Sequence, residues 1–407
     1  MVQSAYFIVT IPIYEAGLCR TSAEIIQLFI RLGPYMRKRL HWFSYQPTPY
    51  NDFLFNQLGK DSDFDLTVHY RAPSVSSHPW KSEFGVNYRW RTYQTKVGID
   101  WQAISLVLKE PHAFFIIAGW DHPTTLALLS LLMALRRPFA VWTDTPDSTA
   151  KRGIIKGRVR AQWLRLVFRS AQTVLATGKP GIHAVIEMGA PAERACSFPF
   201  WLDLSSYRRS DESPLLSHGF HILSSGRLQN SLKGHDLALK AVAKAAKNWR
   251  VNWQYTLAGT GVDMASLKEL ARELGISKQV HFVGWAEPRT LIDLYLKADV
   301  VLHPSPKHDP FPNAVLEGMA AGCIVLASDV SGSAVDRIQN GKNGFLHRAG
   351  DWEQISEQLS AVLFNIEEHR VIGANARKTA ELWPVERGVE TIRNVTHGKR
   401  TPETASS

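Results

Sequence analysis

Short apolar blocks alternate along this chain with longer stretches in which apolar and polar residues are mixed. From residue 40 onward, Leu40–Tyr45, Asp65–Tyr70, Ala113–Ala118, Phe139–Thr143 and Thr173–Ala176 predict strands, with helices between them, notably at Asn51–Leu58 and Thr124–Leu135. The pattern restarts near residue 220. Strands are expected at His221–Ser224, Trp253–Ala258, Val280–Val283, Val300–His303 and Cys323–Ala327, and helices at His235–Lys247, Met264–Leu274, Arg289–Ala298 and Ala314–Ala321. Leu267, Leu270, Ala271 and Leu274 fall at the i, i+3, i+4, i+7 spacing of an amphipathic helix, and Gly275 supplies its stop. Strands alternating with helices mean parallel sheets joined by right-handed crossovers. Two such series, separated by the polar stretch Ser205–Ser217, predict an α/β protein of two Rossmann-like domains. A ligand would bind in the cleft between them, at the carboxyl ends of the strands.

Composition narrows this picture only in part. The 407 residues are 45% hydrophobic and 21% charged, which fits a folded globular protein of two or three domains and excludes a disordered, collagen-like or disulfide-scaffold chain. The 47 Lys+Arg against 37 Asp+Glu leave a net charge of +10, which points to an anionic partner without choosing among nucleic acid, phosphorylated substrate and membrane surface. Cys19, Cys196 and Cys323 form no CxxC pair, so neither a zinc site nor a disulfide framework is expected, and a reducing cytoplasm is the simplest setting. The longest apolar stretch, Phe114 to Leu135, is interrupted by Asp121, His122 and Pro123, too early for a spanning helix. Residues 1–35 stand apart. They read either as an extension ahead of a start at Met36, or as a small helix, Ser22–Leu32, packed on the domain.

Candidate chemistry concentrates in Asp309-Pro310-Phe311-Pro312-Asn313-Ala314-Val315-Leu316-Glu317-Gly318. This segment leaves the strand Val300–His303 as a loop and turns into a helix at Asn313, an apt N-cap. The first-turn amides would face the strand-end cleft, where a helix N-terminus favours an anion such as a diphosphate. Glu317 lies one turn in, within reach of hydroxyls on the same ligand, and Asp309 lies on the loop rim; alone, Glu317 would read as a solvated helix carboxylate.

The spacing resembles the acid-x7-acid motif of retaining glycosyltransferases of family four, with Asp309 in place of the usual Glu, and Glu317 as the second acid. Gly226-Arg227-Leu228 followed by Lys233-Gly234, Ala258-Gly259-Thr260-Gly261, Val280 to Gly284, Asp299 to Ser305, and Ala327 to Gly332 are similar to further ordered motifs of that family. The resemblance covers about residues 220–365. It implies a GT-B fold, two Rossmann-like domains facing each other across a cleft, and transfer of a sugar from a nucleotide diphosphate donor, a UDP- or GDP-sugar, with retention and without a bound metal or other cofactor. It further implies that Arg227 and Lys233 bind the phosphates, that Glu317 accepts from ribose hydroxyls, and that Asp309 contacts the transferred sugar, at a reach one methylene shorter than Glu. Gly226, Gly259, Gly261, Gly284, Phe311, Pro312, Asn313, Ala314 and Val315 would form the rest of the donor site. Pro312 has no N–H, so donating amides start at Asn313.

On that frame, residues 36–204 form the acceptor-binding domain and 205–382 the donor-binding domain. A helix near 383–396 crosses back to the first domain, and 397–407 is a polar tail. After the first strand, where the family often has a Gly-rich turn, stands Gln46-Pro47-Thr48-Pro49-Tyr50-Asn51. At other strand ends Trp120, Asp121, His122, Thr143 and Asp144 are acceptor-side candidates; for His122 and Asp144 helix or loop capping is an equal reading. Lys151, Arg152, Lys156, Arg158, Arg160, Arg165 and Arg169, beside Val159, Trp163 and Leu166, make a basic amphipathic helix that suits a peripheral contact with the inner face of the membrane, or a solvated helix face. The expected partners are thus a nucleotide-sugar and a glycan or lipid-linked glycan of surface polysaccharide assembly. A phosphorylase-like enzyme of the same fold, or a sugar-nucleotide-binding homologue impaired in turnover by Asp309, are the alternatives. Nucleic acid is disfavoured, because the aromatics do not interleave with basic residues in a known module.

Overall fold

The computed structural model describes residues 37–73, 85–147, 153–208 and 219–399. Residues 1–36, Lys151 and Arg152, most of the polar stretch after Arg208, and the tail from residue 400 lie outside the described residues, as do the side chains of 154–156.

Two parallel sheets organise the chain. The first contains β1 (Lys38–Ser44), β2 (Phe64–Tyr70), β3 (Arg89–Thr92), β4 (Phe114–Ala118), β5 (Phe139–Thr143), β6 (Thr173–Ala176) and β7 (Ala195–Ser197), in the order β3-β2-β1-β4-β5-β6-β7. The second contains β8 (Phe220–Ser225), β9 (Trp253–Ala258), β10 (Val280–Gly284), β11 (Val300–His303), β12 (Ile324–Ser328) and β13 (Phe345–His347), in the order β10-β9-β8-β11-β12-β13. Each order reverses beside its first strand, and that switch point opens a crevice at the carboxyl ends. The fold is α/β, of GT-B type.

Helices cover both faces, so the strands read as continuous apolar runs. In the first half these are α1 (Pro49–Lys60), α2 (Trp101–Lys109), α3 (Pro123–Ala134), α4 (Ile154–Ser170) and α5 (Gly178–Glu187). The second half has α6 (Asn230–Lys233), α7 (His235–Ala246), α8 (Met264–Glu273), α9 (Pro288–Lys297), α10 (Asn313–Ala320), α11 (Gly332–Arg337), α12 (Trp352–Phe364) and α13 (Ile366–Ala380). Successive strand residues feed opposite cores: Val300 and Leu302 pack with Leu239 and Leu257, while Val301 packs with Val315 and Met319. Local sequence sets several helix starts. Thr48 caps α1 through Asn51 N at 3.2 Å ahead of Pro49, and the Asp100 carboxylate caps α2 through Gln102 N and Ala103 N.

The last helix, α14 (Val385–Thr396), returns to the first half. Its Val385, Ile392 and Val395 pack with Leu54, Phe55 and Leu58 of α1, and Arg393 pairs with Asp61 and Asp63 at 2.6 and 2.9 Å. Gly388 lets it lie against Trp201, because a Cβ there would stand 2.7 Å from the indole. Edge strands β3, β7 and β13 carry no apolar run that would announce them: β3 reads Arg-Trp-Arg-Thr, and β7 and β13 have three residues each.

Candidate active site in the cleft

Three glycine turns shape the second-sheet side. Gly226 follows β8 at φ +140°, Gly259 follows β9 at φ +148°, and a Cβ on Gly259 would sit 1.8 Å from the Gly226 carbonyl. Gly261 is closed in the same way by the Leu228 carbonyl at 2.2 Å. The turns are tied by hydrogen bonds from Gly226 N to Ala258 O and from Gly259 N to Gly284 O. Gly284, at the end of β10, is also left-handed, at φ +70°. Gly234, with φ +65°, lets the start of α7 pass within van der Waals contact of Pro304 and so places Lys233 over the end of β11.

At that point Lys233 Nζ donates to Asp309 Oδ2 at 2.5 Å. The same oxygen accepts from His303 Nε2 at 2.8 Å and from Ser305 Oγ at 2.8 Å. Asp309 is 8% exposed, and burial pushes its carboxyl up, but His303 and Lys233 outweigh burial and hold it well below the usual carboxylate range. Arg227 is exposed, and among the described residues no carboxylate pairs with it. His235 is buried beneath this turn with Nε2 3.2 Å from the Arg227 carbonyl; burial lowers its pKa to about 3, so its ring is neutral.

The helix start differs from the sequence expectation in one respect. Pro312, not Asn313, occupies the N-cap, and no side chain caps α10. Pro312 is extended at ψ 128°, so Asn313 already has helical backbone and its side chain cannot reach back to cap. The amides of Asn313, Ala314 and Val315 are consequently left for another acceptor. The side chains of Ala314 and Val315 are buried and Phe311 is 4% exposed, so these three can offer a ligand their backbone only, while Asn313 is half-buried. Glu317 lies one turn further in, and both its oxygens are taken: Tyr207 Oη donates to Oε1 at 3.1 Å and Tyr295 Oη to Oε2 at 2.8 Å. Burial raises its pKa against those two hydrogen bonds.

On the first-sheet side a cavity of about 260 Å³ opens at the ends of β1, β4 and β5. Tyr45, Tyr50, Tyr93, Trp142 and Phe200 supply aromatic faces, and Asp121, His122, Thr143 and Asp144 lie on its wall. Asp121 pairs with Arg71 at 2.8 Å. His122 caps α3, its Nδ1 accepting from Thr124 N at 3.1 Å, with the ring edge-on to Tyr93. The Asp144 carboxylate accepts from Thr145 N at 2.8 Å and Thr177 Oγ1 at 2.9 Å. Trp120 instead packs on Phe168 of α4. The helix start near Asn313 was legible in the sequence, and capping was one of two readings given to His122 and Asp144; Tyr207 and Tyr295 were not singled out, and His303 and Ser305 entered only as members of the Asp299–Ser305 motif.

The two sides touch. His308 Nε2 lies 3.3 Å from the Thr145 carbonyl, and Lys179 N donates to Asp336 Oδ1 at 2.7 Å. Asp144 and Asp309 face each other closely enough for their charges to interact.

The family profile described as "Glycosyl transferases group 1" matches residues 209–379, the whole of the second sheet with its helices. Over this region the chain is similar to the group 1 glycosyltransferases. The D-inositol 3-phosphate glycosyltransferase of Rhodococcus erythropolis is 32% identical over 253 residues, 58% of this chain and 54% of its own. An uncharacterized glycosyltransferase of Methanocaldococcus jannaschii is 32% identical over 182 residues, 44% of each chain. The chain spans about half the length of these curated relatives. Among solved structures, Anabaena HepE in complex with UDP superposes with a TM-score of 0.69 at 17% identity, covering 89% of this chain and 100% of that one. Sucrose-phosphate synthase of Thermosynechococcus elongatus gives 0.67, also at 17% identity, over 89% and 98%. Both likenesses extend the GT-B fold over the first sheet as well.

Proposed function

We propose that this protein is a retaining glycosyltransferase that moves a sugar from a UDP- or GDP-sugar to a hydroxyl of a glycan or lipid-linked glycan acceptor in surface polysaccharide assembly. The observation that carries the reading is the convergence at the ends of β8 and β11: exposed Arg227, the Lys233–Asp309 pair and the unbonded amides of α10 all meet there, opposite an aromatic cavity of sugar size. In the reaction the bond from the sugar's anomeric carbon to the β-phosphate oxygen breaks, and its electrons go to the phosphate. The acceptor oxygen bonds that carbon, and its proton leaves with the departing diphosphate. Arg227 as a planar fork and Lys233 as a point charge would stabilise the growing phosphate charge, so no bound metal is needed. Glu317 would exchange a tyrosine hydroxyl for a ribose hydroxyl. Asp309, ionised at every working pH, would face the positive charge that develops on the sugar ring.

The structure of HepE with UDP and the glycosyltransferase relatives support a nucleotide-sugar donor. The acceptor would lie in the cavity between Tyr45, Tyr93 and Trp142, near Asp144. We further propose that the protein works at the cytoplasmic face of a membrane, held there by α4, on which Val159 and Leu166 are 67% and 60% exposed among exposed Arg158, Arg165 and Arg169. Among the described residues no helix is long and apolar enough to cross a membrane.

Release of UDP, GDP or ADP from a panel of nucleotide-sugars, with and without EDTA, tests the donor, and NMR of the product's anomeric proton tests retention. Turnover of none of them, with tight nucleotide binding, would leave only a sugar-nucleotide-binding protein. Failure to float with anionic vesicles would remove the membrane contact.

A further inference from the structure

Arg337, at the end of α11, is 5% exposed, and among the described residues no carboxylate lies within ion-pair distance of it. The adjacent Asp336 acts on it through charge alone, and a buried guanidinium without a direct ion pair is costly. One of its terminal nitrogens donates to Ser333 Oγ at 2.5 Å, while Nε has no partner. Burial lowers its pKa to about 10, so it stays charged. Two aromatic rings hold it instead: its guanidinium carbon lies 4.5 Å from the centre of Phe311 and 4.8 Å from that of Trp383. A desolvated cation held against two ring faces is attracted by both ring quadrupoles, which offsets part of the burial cost.

The two rings belong to different parts of the machine. Phe311 sits in the Asp309–Asn313 loop, and it also reaches the first half of the molecule, since a Cβ on Gly178 of α5 would stand 2.5 Å from its Cε2. Trp383 stands where the chain leaves α13 to cross back as α14, and it packs against core residues of both halves. It also meets Trp201, near the forward crossing, at 6.3 Å, and Arg387 stacks on it at 4.9 Å. Phe311, Arg337, Trp383 and Trp201 thus form one continuous column from the candidate donor loop to both chain crossings.

We propose that Arg337 is a positioning residue that locks the donor loop to the interdomain crossing, so that the angle between the halves and the placement of Asp309 and the α10 amides move together. The catalytic consequence rests on the function proposed above; the mechanical one does not.

The test uses the full chain with Arg337→Met, Arg337→Lys, Trp383→Leu, Trp383→Phe and the Arg337→Met/Trp383→Leu double variant. Hydrogen exchange at the hydrogen-bonded amides of Asp309 and Gly332, which tie the donor loop to the start of α11, reads the mechanical link without any substrate. Exchange should speed up at least tenfold in Arg337→Met and in Trp383→Leu, no further in the double variant, and little in Trp383→Phe, which keeps a ring. Unchanged exchange in Trp383→Leu, or additive effects in the double, overturns the proposal. With UDP-glucose or GDP-mannose, whichever the wild type turns over, kcat should fall ten- to a hundredfold in both single variants, with partial rescue by Arg337→Lys. The Kd for the matching nucleoside diphosphate should rise by less than kcat falls, because Arg227 and Lys233 remain while the α10 amides shift. Equal loss of binding and turnover would assign Arg337 a merely structural role. If the wild type turns over neither donor, the functional reading falls and the exchange measurement still decides Arg337. Should Arg337→Met not fold, the two Trp383 variants carry the same comparison.

Discussion

Replacing Lys233 with Ala separates what the lysine does for the fold from what it does for the reaction. Lys233 is one of three donors on Asp309 Oδ2, with its side chain 21% exposed and that of Asp309 9% exposed. His303 and Ser305 remain after truncation, so Asp309 keeps two of three hydrogen bonds. The folding cost should therefore be about 1–3 kcal/mol, that of one charged hydrogen bond to a buried group. The catalytic cost is larger. Losing one preorganised donor from a developing oxyanion lowers turnover by about 10²–10³, or about 2.7–4 kcal/mol. Steady-state release of nucleoside diphosphate from saturating donor, on protein whose denaturation midpoint has been measured, gives both numbers. Lys233→Arg should recover part of the rate, because the charge persists although its geometry changes. A folded Lys233→Ala enzyme with turnover within threefold of wild type would refute the assignment of this lysine to the phosphates.

The remaining predictions follow from other parts of the site. Gly259→Ala should cost several kcal/mol or prevent folding, since its Cβ would overlap the Gly226 carbonyl at 1.8 Å in a left-handed backbone; a denaturation midpoint equal to wild type would contradict this. Arg227→Ala, at an exposed position, should leave the midpoint unchanged and reduce turnover about a hundredfold, measured in the same two assays. Burial lowers the pKa of His235 to about 3 and holds those of His69 and His303 below their ordinary value, so all three are neutral when folded. Below about pH 6.5 the unfolded chain takes up protons that the folded one refuses. Stability should fall as pH drops below about 6.5, by up to about 1.4 kcal/mol per pH unit for His235 down to about pH 3, with His69 and His303 adding in the same direction. Denaturation midpoints at pH 7.5 and 5.5 check this, and His235→Asn should flatten the slope.

How much of this was legible follows from the range of each interaction. The alternation of apolar blocks with amphipathic stretches is local and periodic, so it carried the α/β class and the two sheets. Short edges such as Arg89–Thr92 and Ala195–Ser197 have too few residues to show a period, and they became strands only because a neighbouring strand offered hydrogen bonds. The N-cap at Pro312 was misread because Asn313 is the better cap by residue type, while the backbone entering α10 is set by contacts of the Asp309–Phe311 loop with Gly332 and Gly178. The left-handed glycines at 226, 259 and 284 lie within motifs that sequence can display, because a missing side chain is visible residue by residue.

Partners are another matter. The sequence by itself determined that a basic pair, two acids eight residues apart and a helix start would recur near strand ends. Only the tertiary structure decided that Lys233 meets Asp309 across 76 positions, that Tyr207 and Tyr295 close on Glu317, and that Arg337 is charged between Phe311 and Trp383. Charge state and hydrogen bonding depend on burial and on what stands within a few ångströms, and those distances exist only once both sheets and the returning helix are in place.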